Sequence, residues 1–207
     1  MPRQSTRKLV RNEIHKALAK KTEVKHREVS AGSSITTDPV AYNFLEFISN
    51  GDSANQRDGN RVNLLSQSLR CNFRAESPYS NIRMCVLETR EELPYDAVLS
   101  KYNAQNVLSS SALGVNSSLD YDSVKKVHYD RTFQIQQLAS GVNPVHYVKK
   151  YIRFGGKLGK KIFYDGNTTT MGSGNCKTFL YIVFMSDSGA TPHPQVSMGI
   201  NQRYTDS

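Results

Sequence analysis

Apolar residues recur at two different spacings along this chain, and the change of spacing divides it. Between residues 10 and 18 they recur helically, with Val10, Ile14, Ala17 and Leu18 forming one narrow stripe. Ser5 or Thr6 can cap such a helix, and neither Gly nor Pro occurs from Arg3 to Ser30. From residue 61 the spacing becomes two. Leu65, Leu69, Cys71 and Phe73 fall on one side, and Ser66, Ser68, Arg70, Asn72 and Arg74 on the other, which is a strand with one buried and one polar face. Further strands follow at short intervals, around Ile82–Val86, Val127–Leu138, His146–Phe154, Leu158–Tyr164 and Val196–Tyr204. Phe179–Met185 is apolar throughout and reads as a strand buried on both faces.

The pattern predicts a basic arm with its linker over 1–34, helical over about 6–21, and one β-domain over 35–207. Ser/Thr/Gly-rich residues 29–39 read as the linker. Tyr42, Phe44, Leu45, Phe47 and Ile48 read as a leading edge strand, with a short helical turn as the alternative. Between them and the first long strand lies a polar loop with the turn dipeptides Asn50-Gly51 and Asp58-Gly59. Residues 97–122 hold no sustained period and read mostly as loop. Roughly eight strands in about 150 residues, in no repeating unit, predict an all-β, two-sheet sandwich.

Charge sharpens the division. The chain carries 27 Lys/Arg and 18 Asp/Glu, a net +9. Residues 1–27 alone hold nine cations, Arg3, Arg7, Lys8, Arg11, Lys16, Lys20, Lys21, Lys25 and Arg27, against Glu13 and Glu23. The arm is therefore +7, and the other 180 residues, with 18 cations and 16 acids, are +2. Such asymmetry predicts a polyanion-binding tail on a near-neutral body. The arm has no aromatic residue, so phosphate contacts are expected there and base stacking is not. A solvated tail, a membrane-surface helix and a nuclear-targeting signal are the competing readings; for the second, the apolar face lacks bulky residues.

Enzyme signatures are missing: there is no Gly-x-Ser-x-Gly, P-loop, His-Glu-x-x-His or clustered Cys/His set. Gly155–Lys161 is basic and glycine-rich, but strand residues follow it, so it reads as a hairpin turn. With Lys149, Lys150 and Arg153 it offers a second basic patch on the body. Cys71, Cys85 and Cys176 read as reduced core thiols. Asn116 and Asn167 match glycosylation acceptors by chance, and Asp120, Asp122 and Asp130 read as solvated loop carboxylates. No run approaches the length of a membrane helix, and no signal peptide is recognised at the N-terminus.

Gly51-Asp52, Asn55-Gln56-Arg57, Gly59 and Arg61-Val62, opening a long alternating strand after a basic arm, resemble the start of the shell domain in satellite tobacco necrosis virus-like coat proteins. Related capsid proteins of small circular single-stranded DNA viruses share it. The resemblance implies a single eight-stranded jelly roll that self-assembles into a small icosahedral shell, in the virion and in host cytoplasm or nucleus during assembly. It implies that the arm packages single-stranded RNA or DNA through the nine cations. It further implies that arms pack together through Val10, Ile14 and Leu18. It admits structural calcium, with no residue assigned. The chain departs from the plant satellite pattern in having no tryptophan. The alternative is a non-capsid single-stranded nucleic-acid-binding β-domain with a basic tail; a lectin-like module with an incidental tail is a third class.

Overall fold

The computed structural model describes Val10, Glu13 and residues 23–76, 79–136, 145–167, 171–189 and 191–206, apart from the side chains at 111–113 and 157. In chain order its strands are β1 (Val24–Ser34), β2 (Val40–Tyr42), β3 (Arg61–Arg74), β4 (Tyr79–Thr89), β5 (Tyr95–Asp96), β6 (Lys101–Asn103), β7 (Val124–Gln136), β8 (Val145–Arg153), β9 (Lys160–Phe163), β10 (Leu180–Ser186) and β11 (Gln195–Asp206). They form two antiparallel sheets. One has the order β1-β11-β3-β8, with β9 also on β3; the other is β5-β6-β2-β10-β4-β7.

The pairing has a simple logic. β1 pairs with β11, β2 with β10, β3 with β8 and β4 with β7, so the outermost strands of the chain pair first and the innermost last. β11–β3 and β10–β4 then join these rungs into sheets. The two sheets stack as a β-sandwich. Leu69, Cys71, Phe73, Met198 and Ile200 from one face Ile82, Met84, Val86, Ile182 and Phe184 from the other, all buried. The Phe73 ring sits 5.8 Å from Phe133 and 6.0 Å from Phe184, across the gap.

The second sheet is covered on its outer side as well. Cys85, Leu87, Tyr181, Val183 and Met185 are wholly buried. Arg83, on the same face, donates to the carbonyls of Val115 and Ser117 and binds Asp130 at 2.6 and 2.8 Å, tying the 104–123 segment over the sheet. Ala104, Val107, Leu108, Val115 and Leu119 are buried apolar residues of that segment. The expectation of a strand buried on both faces therefore holds for β10, for a reason the run itself does not show: the loop is the third layer.

Three sequence expectations change. Residues 24–34, read as arm and linker, are strand β1, paired along its length with β11. This edge strand has few apolar side chains, and main-chain bonds hold it. Residues 40–48 are not one strand but β2 followed by a 3-10 turn, Phe44–Phe47, capped by the Asn43 carboxamide on Leu45 N at 3.2 Å. In β3 the face changes partway. Val62 and Leu64 point inward, then Gln67, Leu69, Cys71 and Phe73, because the register against β11 shifts between Arg203 and Tyr204 and leaves Leu65 as an extra residue. Leu65, placed on the buried side by strict alternation, is only half-buried, and Leu64 takes the core position. A helix over 6–21 falls outside the described residues except at Val10 and Glu13, both exposed and helical in backbone.

Candidate nucleic-acid interface

The polar loop before β3 is a knot built on Arg57. This guanidinium is fully buried, and among the described residues no carboxylate pairs with it. Its Nε donates to Ile48 O at 3.2 Å and its two Nη groups donate to the carbonyls of Gly59 and Gly166, with Asn60 Oδ1 at 3.3 Å. Its flat face lies 4.3 Å from the Tyr164 ring centre. Burial holds its pKa below the ordinary arginine value. The neighbouring motif residues serve the same knot. Gln56 Oε1 accepts from Ser53 N, and a Cβ on Gly51, whose φ is +151°, would stand 2.3 Å from that same oxygen. Asn50 Oδ1 accepts from Gly59 N. The buried part of the motif thus serves to close a loop.

Of the nine arm cations, Arg3, Arg7, Lys8, Arg11, Lys16, Lys20 and Lys21 lie outside the described residues, as do Ile14 and Leu18; Val10 is exposed. The other two are corrected by the structure. Lys25 is 4% exposed and binds Asp58 at 3.0 Å and Asp206 at 2.8 Å. Burial alone would lower its pKa, but these two carboxylates outweigh it and hold it at about 12. Arg27 is half-buried on the same inward face of β1, opposite buried Gln202. Both lie within strand β1, where alternation turns odd positions inward, so neither projects with the arm.

The first sheet has the bare face. Register places its outward residues in rows: Arg153, Ser66, Arg203 and His26; then Tyr151, Ser68, Asn201 and Glu28; then Lys149, Arg70, Gly199 and Ser30; then Tyr147, Asn72, Ser197 and Gly32; then Val145, Arg74, Gln195 and Ser34. Arg70, Arg74, Lys149, Arg153 and Arg203 are exposed cations here, against one carboxylate, Glu28. Arg70 and Lys149 stand directly opposite each other, an arrangement that costs stability in a bare sheet. Tyr147 and Tyr151 are about half exposed (54% and 50%). The Tyr151 hydroxyl, hydrogen-bonded to Ser66 and close to Arg153 and Arg203, is held below the ordinary phenol range. Gly199 and Gly32 leave a trough of about 690 Å³ bordered by Tyr147, Arg70 and Asn72.

The second basic patch expected on the body is therefore real in part and differently composed. Lys149 and Arg153 join it. Lys150 turns to the other side of β8, its Nζ 4.8 Å over the Tyr129 ring. Lys160 reaches across to Glu88 of the other sheet. The Gly155–Lys161 stretch is a turn, as expected, and a Cβ at Gly155, with φ +59°, would meet Gly159 O at 2.0 Å. Arg70, Arg74 and Arg203 join the patch from strands far apart in sequence. Alternation marks each as outward, but only the β3–β8 and β11–β3 pairings make them neighbours of Lys149 and Arg153.

The remaining chemistry is absorbed by the fold. All three cysteines are buried, and burial pushes the Cys71 and Cys176 thiols up to about 12. Asp130 is bound by Arg83, and Asp120 by Ser123 Oγ at 2.8 Å. Among the described residues no three His, Cys, Asp or Glu side chains are placed to hold a metal. Glu46 is buried against Tyr102 Oη at 2.6 Å and Gly172 N at 2.7 Å; burial raises its pKa despite both bonds. It closes the 172 loop over the sandwich end. No family model matches the chain, and no curated protein sequence matches it.

Proposed function

We propose that this chain is the coat protein of a small virus, a single jelly roll that assembles with copies of itself into an icosahedral shell around a single-stranded genome. The observation that carries the fold is the pairing order. Eight main strands pair first with last through the chain, and the rungs then wrap into two four-stranded sets, as two interlocked Greek keys require. The Gly51–Val62 motif supports the same reading, since its residues have a shared structural task that constrains their identity.

In this reading the arm lies on the inside of the shell. Its cations neutralise genome phosphates, and packaging in turn relieves repulsion among the clustered arms. Shell closure rests on many weak heterologous contacts whose rotations close. The body contributes no catalytic step. The reading that the chain is instead a non-capsid single-strand-binding domain is favoured by the open basic face, which needs no shell to act.

Electron microscopy of the purified chain, with the 260/280 nm absorbance ratio of the same fraction, tests both. Uniform round particles with a nucleic-acid-rich ratio are expected. Small discrete species that bind single strands in a salt-dependent way would replace the capsid reading with the second. A truncation to probe the arm should stop at residue 22, because cutting through residue 27 removes Lys25 and the start of β1. The shorter truncation is expected to fold and to lose packaging.

A further inference from the structure

We infer that the outward face of the β1-β11-β3-β8 sheet is a second nucleic-acid site, distinct from the arm, in which Tyr147 and Tyr151 stack bases of a single strand. The inference shares nucleic acid as ligand with the proposed function but depends on neither the arm nor a shell.

Four observations converge. Along β8, Tyr147, Lys149, Tyr151 and Arg153 alternate ring with cation on one face, while Val148 and Ile152 turn into the core. At about 3.3 Å per residue the two rings stand roughly 13 Å apart, room for separate bases on one strand. Arg70 stands opposite Lys149, and Arg153 and Arg203 flank Ser66, so cations lie within the ring line and along its β3 side. The like-charged Arg70–Lys149 pair is unfavourable until an anion lies on it. Finally, the opposite sheet is sealed by the 104–123 segment whereas this face is open, and Gly199 removes the side chain that would fill the trough beside Arg70.

The chemistry selects single strands. Stacking needs an exposed ring face on the base, which a duplex hides between its neighbours, and it tolerates any base. Phosphate contacts alone would favour duplex and single strand by charge density only.

The test is photocrosslinking of the full chain to a bromodeoxyuridine-containing single-stranded oligonucleotide, followed by peptide mapping. Cleavage after Lys149 and Lys150 separates the two tyrosines, so each adduct is assigned independently. Adducts on Tyr147 and Tyr151 are expected, competed by unlabelled single strand and at least 5-fold less by an equal-length duplex. Tyr147→Leu with Tyr151→Leu should abolish them and weaken single-strand binding roughly 5-fold or more per ring, while the corresponding Phe pair retains binding. Adducts confined to residues 1–22 would overturn this site and leave the arm's role standing. No adducts anywhere would also overturn this site, while the arm's phosphate contacts are read separately from the salt dependence of single-strand binding.

Discussion

The Arg57 guanidinium lies 4.3 Å from the centre of the Tyr164 ring, sandwiched in a cage of carbonyl oxygens rather than facing an acid. A cation so placed holds three chain segments: Ile48, Gly59 and Gly166. Arg57→Met removes every donor and leaves those carbonyls unpaired. The expected loss is at least about 3 kcal/mol, a fall in Tm of roughly 6–12 °C for a domain of this size. Arg57→Lys is expected to be nearly as damaging, since one ammonium cannot span the cage and stack as well. A calorimetric scan of the two variants beside wild type checks this; a Lys variant melting with wild type would show that charge alone suffices.

Gly51 has φ +151°, and Gln56 Oε1 occupies the space a Cβ would need. Gly51→Ala is expected to cost about 1–3 kcal/mol. Gln56→Ala in the same background removes the clash but leaves the backbone strain. It should recover part of the loss, read as denaturant midpoints at unchanged m-value.

Glu88 is buried at the junction of the two sheets, 2.7 Å from His128 and bonded to Lys160. Burial would raise its pKa, yet the His128 and Lys160 bonds outweigh it and bring it to about 2. A carboxyl with a depressed folded pKa stabilises above its unfolded value and loses that stabilisation as pH falls toward the folded value. The window is therefore about pH 4.5 down to 2, and the loss is at most about 3 kcal/mol. Glu88→Gln is expected to flatten the fall of stability with pH in that window. An unchanged slope would place acid sensitivity elsewhere.

Lys25 and the outward cations make opposite predictions for binding. Arg70→Gln with Lys149→Gln should lower the magnitude of the log K against log salt slope by about 1.4 for single strands. Lys25→Gln should leave that slope unchanged, because its ammonium is bound to Asp58 and Asp206, and should instead speed amide exchange along β1. A Lys25 variant with a shallower slope would return this residue to the phosphate-binding set.

How far the sequence could be read varies from element to element, for physical reasons. β8 and β10 were legible because their side chains declare their burial directly, by alternation in one and continuous apolarity in the other. β1 was not, because an edge strand held by main-chain bonds needs little apolar content, and its Ser and Gly residues look like linker. The β3 register failed at Leu65 because a bulge depends on the partner strand, whose identity alternation does not encode. The same holds for the interface. Lys149 and Arg153 were visible as a local run, while Arg70, Arg74 and Arg203 became their neighbours only through the β3–β8 and β11–β3 pairings, between strands far apart in sequence.

Val24 sits across from Thr205 in the β1–β11 ladder, so the arm and the other end of the sandwich leave by one doorway. A short linker bridging residues 206 and 24 would preserve every rung, and new ends could be opened at Val98, which is 92% exposed at the tip between β5 and β6. Such a circular permutant, which lacks the residues before 24, would keep the sandwich and move the chain ends away from that corner. Cargo fused after residue 206 of the native order would instead emerge beside the arm and share whatever compartment the arm occupies.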